Sequence, residues 1–215
     1  VRGYVLKPFL DDELHDTIIE AMDSRKNVME KKSDYESLKR HFENSKAILR
    51  EHFFRNLLLN SDANYSEAEN TEGEFGVSLM GNYKTVITFR IINNNSEYGS
   101  FFVCGALTDF IANDVCEGYT LYPVMIDEKE ISIIAVSDND DSIALSAFII
   151  RLKNEIISKY NIDTLVGISS TETDVSKLYM QNKQSRETLN NIIMTHKNIV
   201  MSYDELPENE SDVDF

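Results

Sequence analysis

No stretch of the sequence approaches the ~20 consecutive apolar residues of a membrane span. The first residues hold no long apolar core behind positive charge, so no export signal is expected there. Cations are scarce as well. With 21 Lys+Arg against 37 Asp+Glu the formal net charge is −16, which repels nucleic acid and anionic lipid, so direct nucleic-acid binding and membrane contact are not expected. Cysteine is limited to Cys104 and Cys116. At that spacing on a helix they project about 120° apart and do not meet. They match neither a redox pair nor a zinc cluster, and His15, His41, His52 and His196 stand apart from them and from each other. The expectation is no metal, no cofactor, and two buried thiols in a reducing, cytoplasmic compartment.

Proline and glycine are both missing from residue 11 to residue 59. Asp11 or Asp12 is an N-cap candidate, and Leu14, Ile18 and Met22 recur every four residues behind it, so a helix starts there and nothing in the sequence stops it before about Leu59. Leu14, Ala21, Val28, Tyr35, Phe42 and Leu49 hold one heptad position. The companion positions Thr17, Ser24, Lys31, Leu38, Ser45 and His52 are mostly polar. The stretch is therefore either a long solvated helix or a marginal parallel dimer coil, and the recurrence favours the coil, with Val28, Tyr35, Phe42 and Leu49 as its seam. Residues 46–59, KAILREHFFRNLLL, are far more apolar and should leave the coil to pack on a globular body.

Residues 60–83 are polar and weakly patterned, a connector. From residue 84 the patterning becomes regular. Thr85 to Ile92 alternates as a strand, with Ile87, Phe89 and Ile91 on one face. Ser100 to Val115 carries Val103, Leu107, Phe110, Ile111 and Val115 on one helical stripe. Two apolar runs, Leu121 to Ile126 and Ile131 to Val136, flank a charged turn at Asp127-Glu128-Lys129-Glu130. Asp140 or Asp141 caps a helix reaching Tyr160, and Thr164 to Ser169 is a strand. A last helix, capped near Thr173, aligns Val175, Leu178, Asn182, Ser185, Leu189 and Ile192, where small Ser185 permits close approach to a sheet. Ile199 to Tyr203 closes the order β-α-β-β-α-β-α-β, an α+β sandwich of split βαβ type with its helices gathered on one face. The acidic residues 207–215 are too polar to fold alone.

The opening residues GYVLKPF, followed by an acidic-capped amphipathic helix, resemble the last strand and helix of a two-component receiver domain. The resemblance implies that residues 1–23 are a receiver stub and that Lys7, before Pro8, is the remnant of a phosphoryl contact whose aspartate lies upstream. Residues 24–59 would then be a signalling and dimerisation helix. Residues 84–206 resemble the cyclase-like, degenerate GGDEF domain of AraC-type response regulators through Gly167-Ile168-Ser169-Ser170, Asp174 at a helix start, the small and apolar pattern through Ser185 and Leu189, and Tyr203-Asp204-Glu205-Leu206. Asn182, Ser185 and Thr188 depart from that pattern, where tyrosine and alanines are common.

A working cyclase of that family needs metal-binding carboxylates on its first strand and a glycine-rich hairpin turn. Here the strand TVITFRIINNN places Arg90 where a carboxylate is required, and the hairpin MIDEKEISI has no glycine. Asp127, Glu128 and Glu130 read as a solvated turn and not a cation site. Glu13-Leu14-His15-Asp16 resembles a histidine kinase phospho-acceptor box, but Pro8 stands close before it and no glycine-rich ATP-binding segment follows. The resemblance thus implies a non-enzymatic regulatory and dimerisation region, with a homodimer, a receiver and a DNA-binding module of the same full-length chain as partners. The alternative is a small-effector sensor domain. A polar pocket over the sheet would favour the sensor, and a filled sheet face would favour relay alone.

Overall fold

Ile87, Phe89 and Ile91 alternate with Val86, Thr88 and Arg90, and in the computed structural model this alternation sends the two sets to opposite faces of one sheet. The structure describes residues 22, 25, 36, 37, 39, 42, 43, 45–63, 65, 78–95, 97–195 and 200–206. The chain divides into two compact units, Val1–Ile48 and Leu49–Phe215. In the first unit the described residues are helical, and Phe42 is 64% exposed. Lys7, Pro8, Val28 and Tyr35 lie outside the described residues.

The second unit opens with helical residues 49–59, here α1. Strand β1 (Tyr83–Asn94) leads into α2 (Ser100–Ala112), followed by β2 (Tyr119–Met125), β3 (Glu130–Ser137), α3 (Ser142–Tyr160), β4 (Ile162–Ile168), α4 (Leu178–Thr195) and β5 (Val200–Ser202). The sheet order is β2-β3-β1-β4-β5. β1 runs antiparallel to both β3 and β4, β2 runs antiparallel to β3, and only β5 joins in parallel, on β4. Consequently β1 and β2 run parallel with β3 inserted between them, and β3 and β4 run parallel with β1 between them. These are two interlocked split βαβ units in a mixed α+β sheet.

Helices cover both faces, which corrects the one-sided arrangement expected from the sequence. α2 and α3 share a core with Ile87, Phe89, Ile91, Ile131, Ile133 and Val166. The opposite face also carries apolar residues, Val86, Ile134, Val136 and Leu165, and these take α1 and α4. Phe54, Leu57 and Leu58 are buried there, so the apolar residues of α1 pack on the body. Both sides of β1 and β3 are buried, and a strand buried twice needs two layers of helix.

Local signals mostly act where the sequence puts them. Asp141 caps α3 by accepting from the Ala144 amide at 2.9 Å. At its other end Asn161 takes the left-handed conformation, φ 55°, that asparagine tolerates at a helix terminus. α2 is shorter than its apolar stripe suggests: it ends at Ala112, and Val115 beyond it is 80% exposed. Cys116 therefore lies outside the helix, yet it is buried like Cys104, and both are free thiols. Among the described residues no helix is long and apolar enough to cross a membrane.

Candidate functional site: a polar seam and an arginine-lined cleft

On the α4 face of the sheet the middle positions are polar. Thr88 on β1 pairs across the ladder with Ser132 on β3 and Gly167 on β4. Its hydroxyl lies 3.1 Å from that of Ser132 and 2.7 Å from that of Ser185 on α4. Ser132 donates to Asn182 Oδ1 at 2.9 Å, and Asn182 Nδ2 donates to the carbonyl of Leu58 near the end of α1 at 3.0 Å. All four side chains are buried, and each has a partner, as a polar group out of water requires. Asn182 and Ser185 are thus matched by Thr88 and Ser132 below them. The chain of bonds joins the sheet, α4 and the end of α1.

Along the same face the polar positions become charged. Glu130, at the start of β3, is only 4% exposed. Arg90 Nε donates to Glu130 Oε1 at 2.7 Å, and Arg186 Nη2 lies 2.8 Å from Glu130 Oε2. Arg90 also donates to Asn190 Oδ1 at 3.1 Å. Here the expectation of a solvated turn is corrected. Asp127, Glu128 and Lys129 are exposed, but Glu130 belongs to the strand and is clamped between two guanidinium groups. The exposed turn is held from within, since Asp127 Oδ1 accepts from the amides of Lys129 at 2.8 Å and Glu130 at 3.0 Å.

Above the clamp lies an open cleft of about 680 Å³. Leu59, exposed at the end of α1, stands on one side, with Leu58 buried behind it. The other is the face of α4 that carries Tyr179, Lys183, Arg186 and Asn190 at helical spacings of three and four. Arg90 reaches it from the sheet.

The remaining titratable groups of interest lie elsewhere. Lys84 is buried under the far end of α4, where its ammonium donates to the carbonyls of Gly81 and Thr173, each at 2.7 Å. Burial pushes its pKa down, and Asp174 opposes that. Cys104 sits beneath the hairpin turn, with Sγ 3.3 Å from the Asp127 carbonyl oxygen. Burial, with Asp127 and Glu130 nearby, pushes its thiol up to about 12. A thiol so far from ionisation is a poor nucleophile. Native protein should therefore react slowly with iodoacetamide at Cys104, and the rate should rise sharply in denaturant; equal rates would refute the burial. The thiol also carries a pH signature. Its folded pKa exceeds the unfolded one, so the folded state holds a proton that the unfolded state loses above about pH 9. The Cys104 contribution is complete below that pH and declines by about 1.4 kcal/mol per pH unit up to about pH 12. Relative to Cys104→Ala, wild-type stability should fall with that slope in alkaline urea melts.

Of the expected dimer-seam residues, Phe42 and Leu49 are helical and exposed in the single chain, Leu49 at 59%. His52 is exposed on α1, and His15, His41 and His196 lie outside the described residues. Among the described residues no group of three or more His, Cys, Asp and Glu is placed to hold a metal ion. Sequence reasoning noticed Arg90 but missed Lys183, Arg186 and Tyr179. Their signal was present, one helical step beside the buried Asn182–Ser185–Leu189 stripe, but it reads as ordinary solvated surface until α1 is placed opposite.

Comparison with family models, with curated proteins and with solved structures finds no match to this chain.

Proposed function

We propose that the chain is the regulatory and dimerisation region of a two-component transcriptional response regulator, relaying the state of a receiver to a DNA-binding module, with a catalytically inactive cyclase-like domain at its centre. The observation that supports the inactive centre is the clamp on Glu130. The first strand, where a metal-dependent cyclase would carry its magnesium carboxylates, has Arg90, and the nearest buried carboxylate to it is Glu130 across the ladder. Here it is buried and neutralised by Arg90 and Arg186, and a divalent cation would have to displace two fixed positive charges. Incubation with GTP and magnesium or manganese should yield no cyclic dinucleotide, and sustained product would overturn the proposal.

The relay half rests on the heptad pattern of the sequence before the domain. A seam through Val28, Tyr35, Phe42 and Leu49, with polar companions, gives a dimer with little surplus stability, since each fully buried large side chain contributes roughly 1.5–3 kcal/mol before the cost of association. The dimer should dissociate measurably on dilution. Phe42→Glu should shift it to monomer and leave the melting of the α+β domain unchanged, because an unpaired carboxylate in an apolar seam opens the coil. Sedimentation across a concentration series checks both points. A monomeric wild type, or a mutant that dimerises unchanged, would leave a solvated helix in place of the coil. A coil this marginal suits a relay, because a few kcal/mol suffices to bias it.

A second reading, a small-effector sensor, is favoured by one observation. Part of the sheet face is filled by α4 and α1, but the 680 Å³ cleft beside them has the size of a ligand pocket and convergent polar groups. The two readings are compatible, since Leu59 on one side of the cleft belongs to α1.

A further inference from the structure

The charges around the cleft are unevenly committed. Arg90 is spent on Glu130 and Asn190. Arg186 gives one amino group to Glu130, and its side chain is still 38% exposed. Lys183 is exposed and makes no ion pair or hydrogen bond among the described residues, even though Glu187 stands one turn along the same helix. Arg90, Lys183 and Arg186 against Glu130 and Glu187 leave one positive charge over. In a chain of net charge −16 this is a local reversal of sign. The free donors, on Lys183 and Arg186, are adjacent at i and i+3. Beside them stand the apolar side chain of Leu59 and the half-buried ring of Tyr179.

We infer that this cleft binds a small organic monocarboxylate, its carboxylate held between Lys183 and Arg186 and its apolar body laid against Leu59 and Tyr179. The inference rests on the effector-sensor reading above and names its ligand class. Charge decides between classes. One excess cation is neutralised by a monocarboxylate, whereas a phosphate dianion would leave the cleft negative inside an already acidic molecule. The apolar wall decides the rest, because an ion without a hydrophobic body would leave that wall wet. Occupancy would be felt by α1, since Leu59 lines the cleft and the carbonyl of its neighbour Leu58 accepts from Asn182.

The test is a titration of the full chain with benzoate and 3-phenylpropionate, with benzamide as the neutral isostere and with inorganic phosphate, followed by amide NMR shifts. Both carboxylates should give saturating shifts at Lys183, Arg186 and Leu59, and benzamide should not. Lys183→Met touches no structural partner and should weaken carboxylate binding about tenfold or more with the rest of the spectrum preserved. Arg186→Met should act in the same direction, though it also disturbs Glu130, which is why the lysine variant decides. Saturation by phosphate alone, with sensitivity to Lys183→Met, would overturn the carboxylate assignment and keep a sensor. Equal binding of benzamide, undiminished binding in Lys183→Met, or no saturable shift up to about 10 mM of any probe would overturn the site itself. The dimer measurement is independent of all these outcomes.

Discussion

Gly167→Ala should be among the most damaging single-methyl changes in the domain, lowering stability by roughly 3 kcal/mol or more. Gly167 sits on β4 opposite Thr88, directly under α4, and a Cβ there would lie 2.1 Å from the backbone oxygen of Ser185 and 3.1 Å from Leu189 Cγ. A side-chain tip could swing away, but a helix carbonyl moves only if the helix moves. Lifting α4 would stretch the 2.7 Å contact between Ser185 and Thr88 and the bond from Asn182 to Leu58, so the methyl is felt as far as α1. Gly105→Ala provides the contrast. Gly105 lies inside α2 and a Cβ there meets nothing within 4 Å, so alanine should stabilise by roughly 0.5–1 kcal/mol through helix propensity alone. Urea midpoints at unchanged slope measure both. A Gly167→Ala protein with the wild-type midpoint would mean that α4 does not seat on β4 as described.

That same contact shows what the sequence makes legible. Small Ser185 on a helix stripe beside a glycine-bearing strand is enough to expect a close helix–sheet approach. Period-two alternation is likewise enough to place Ile87, Phe89 and Ile91 on one face, and a four-residue gap between apolar runs is enough for the β2–β3 hairpin. These are local signals, each fixed by neighbouring residues. The side on which α1 and α4 pack was not legible, because it depends on Val86, Ile134 and Leu165. Within strands already buried on one face, these residues look like scatter in an alternating pattern. Glu130 was misread for a related reason. Its neighbours Asp127, Glu128 and Lys129 are exposed, and composition alone assigns the fourth residue with them. Its burial depends on Arg186, 56 positions later in the chain, and on Arg90, 40 positions earlier. Charge pairing across strands leaves no periodic trace. The cleft was invisible for the same cause, since one wall comes from α1 and the other from α4.

Arg90→Met should cost roughly 2–4 kcal/mol, and the larger part of that loss should return when Glu130→Met is added. In the wild type the carboxylate lies at 4% exposure with a guanidinium on each oxygen. Removing Arg90 leaves a buried charge with one partner, and uncompensated burial of charge is the expensive condition. The cost stays below that of a fully buried pair because the Arg90 side chain is 23% exposed and water reaches part of it. In the double variant no charge is stranded. Arg186 can turn to solvent, and neither methionine needs a charged partner. Buried ion pairs replaced by apolar groups of similar size are often neutral in stability. Glu130→Met alone leaves Arg90 and Arg186 facing each other without their counter-ion and should fall between the two. Four urea melts close the cycle, with an expected coupling of about 1–3 kcal/mol. If the double variant is as unstable as Arg90→Met, the loss lies in the packing of the long Arg90 side chain and the clamp is not electrostatic. If it recovers, the clamp is dispensable for folding. The charges would then be explained by what they do at the cleft, where they hold Arg186 in place beside Lys183.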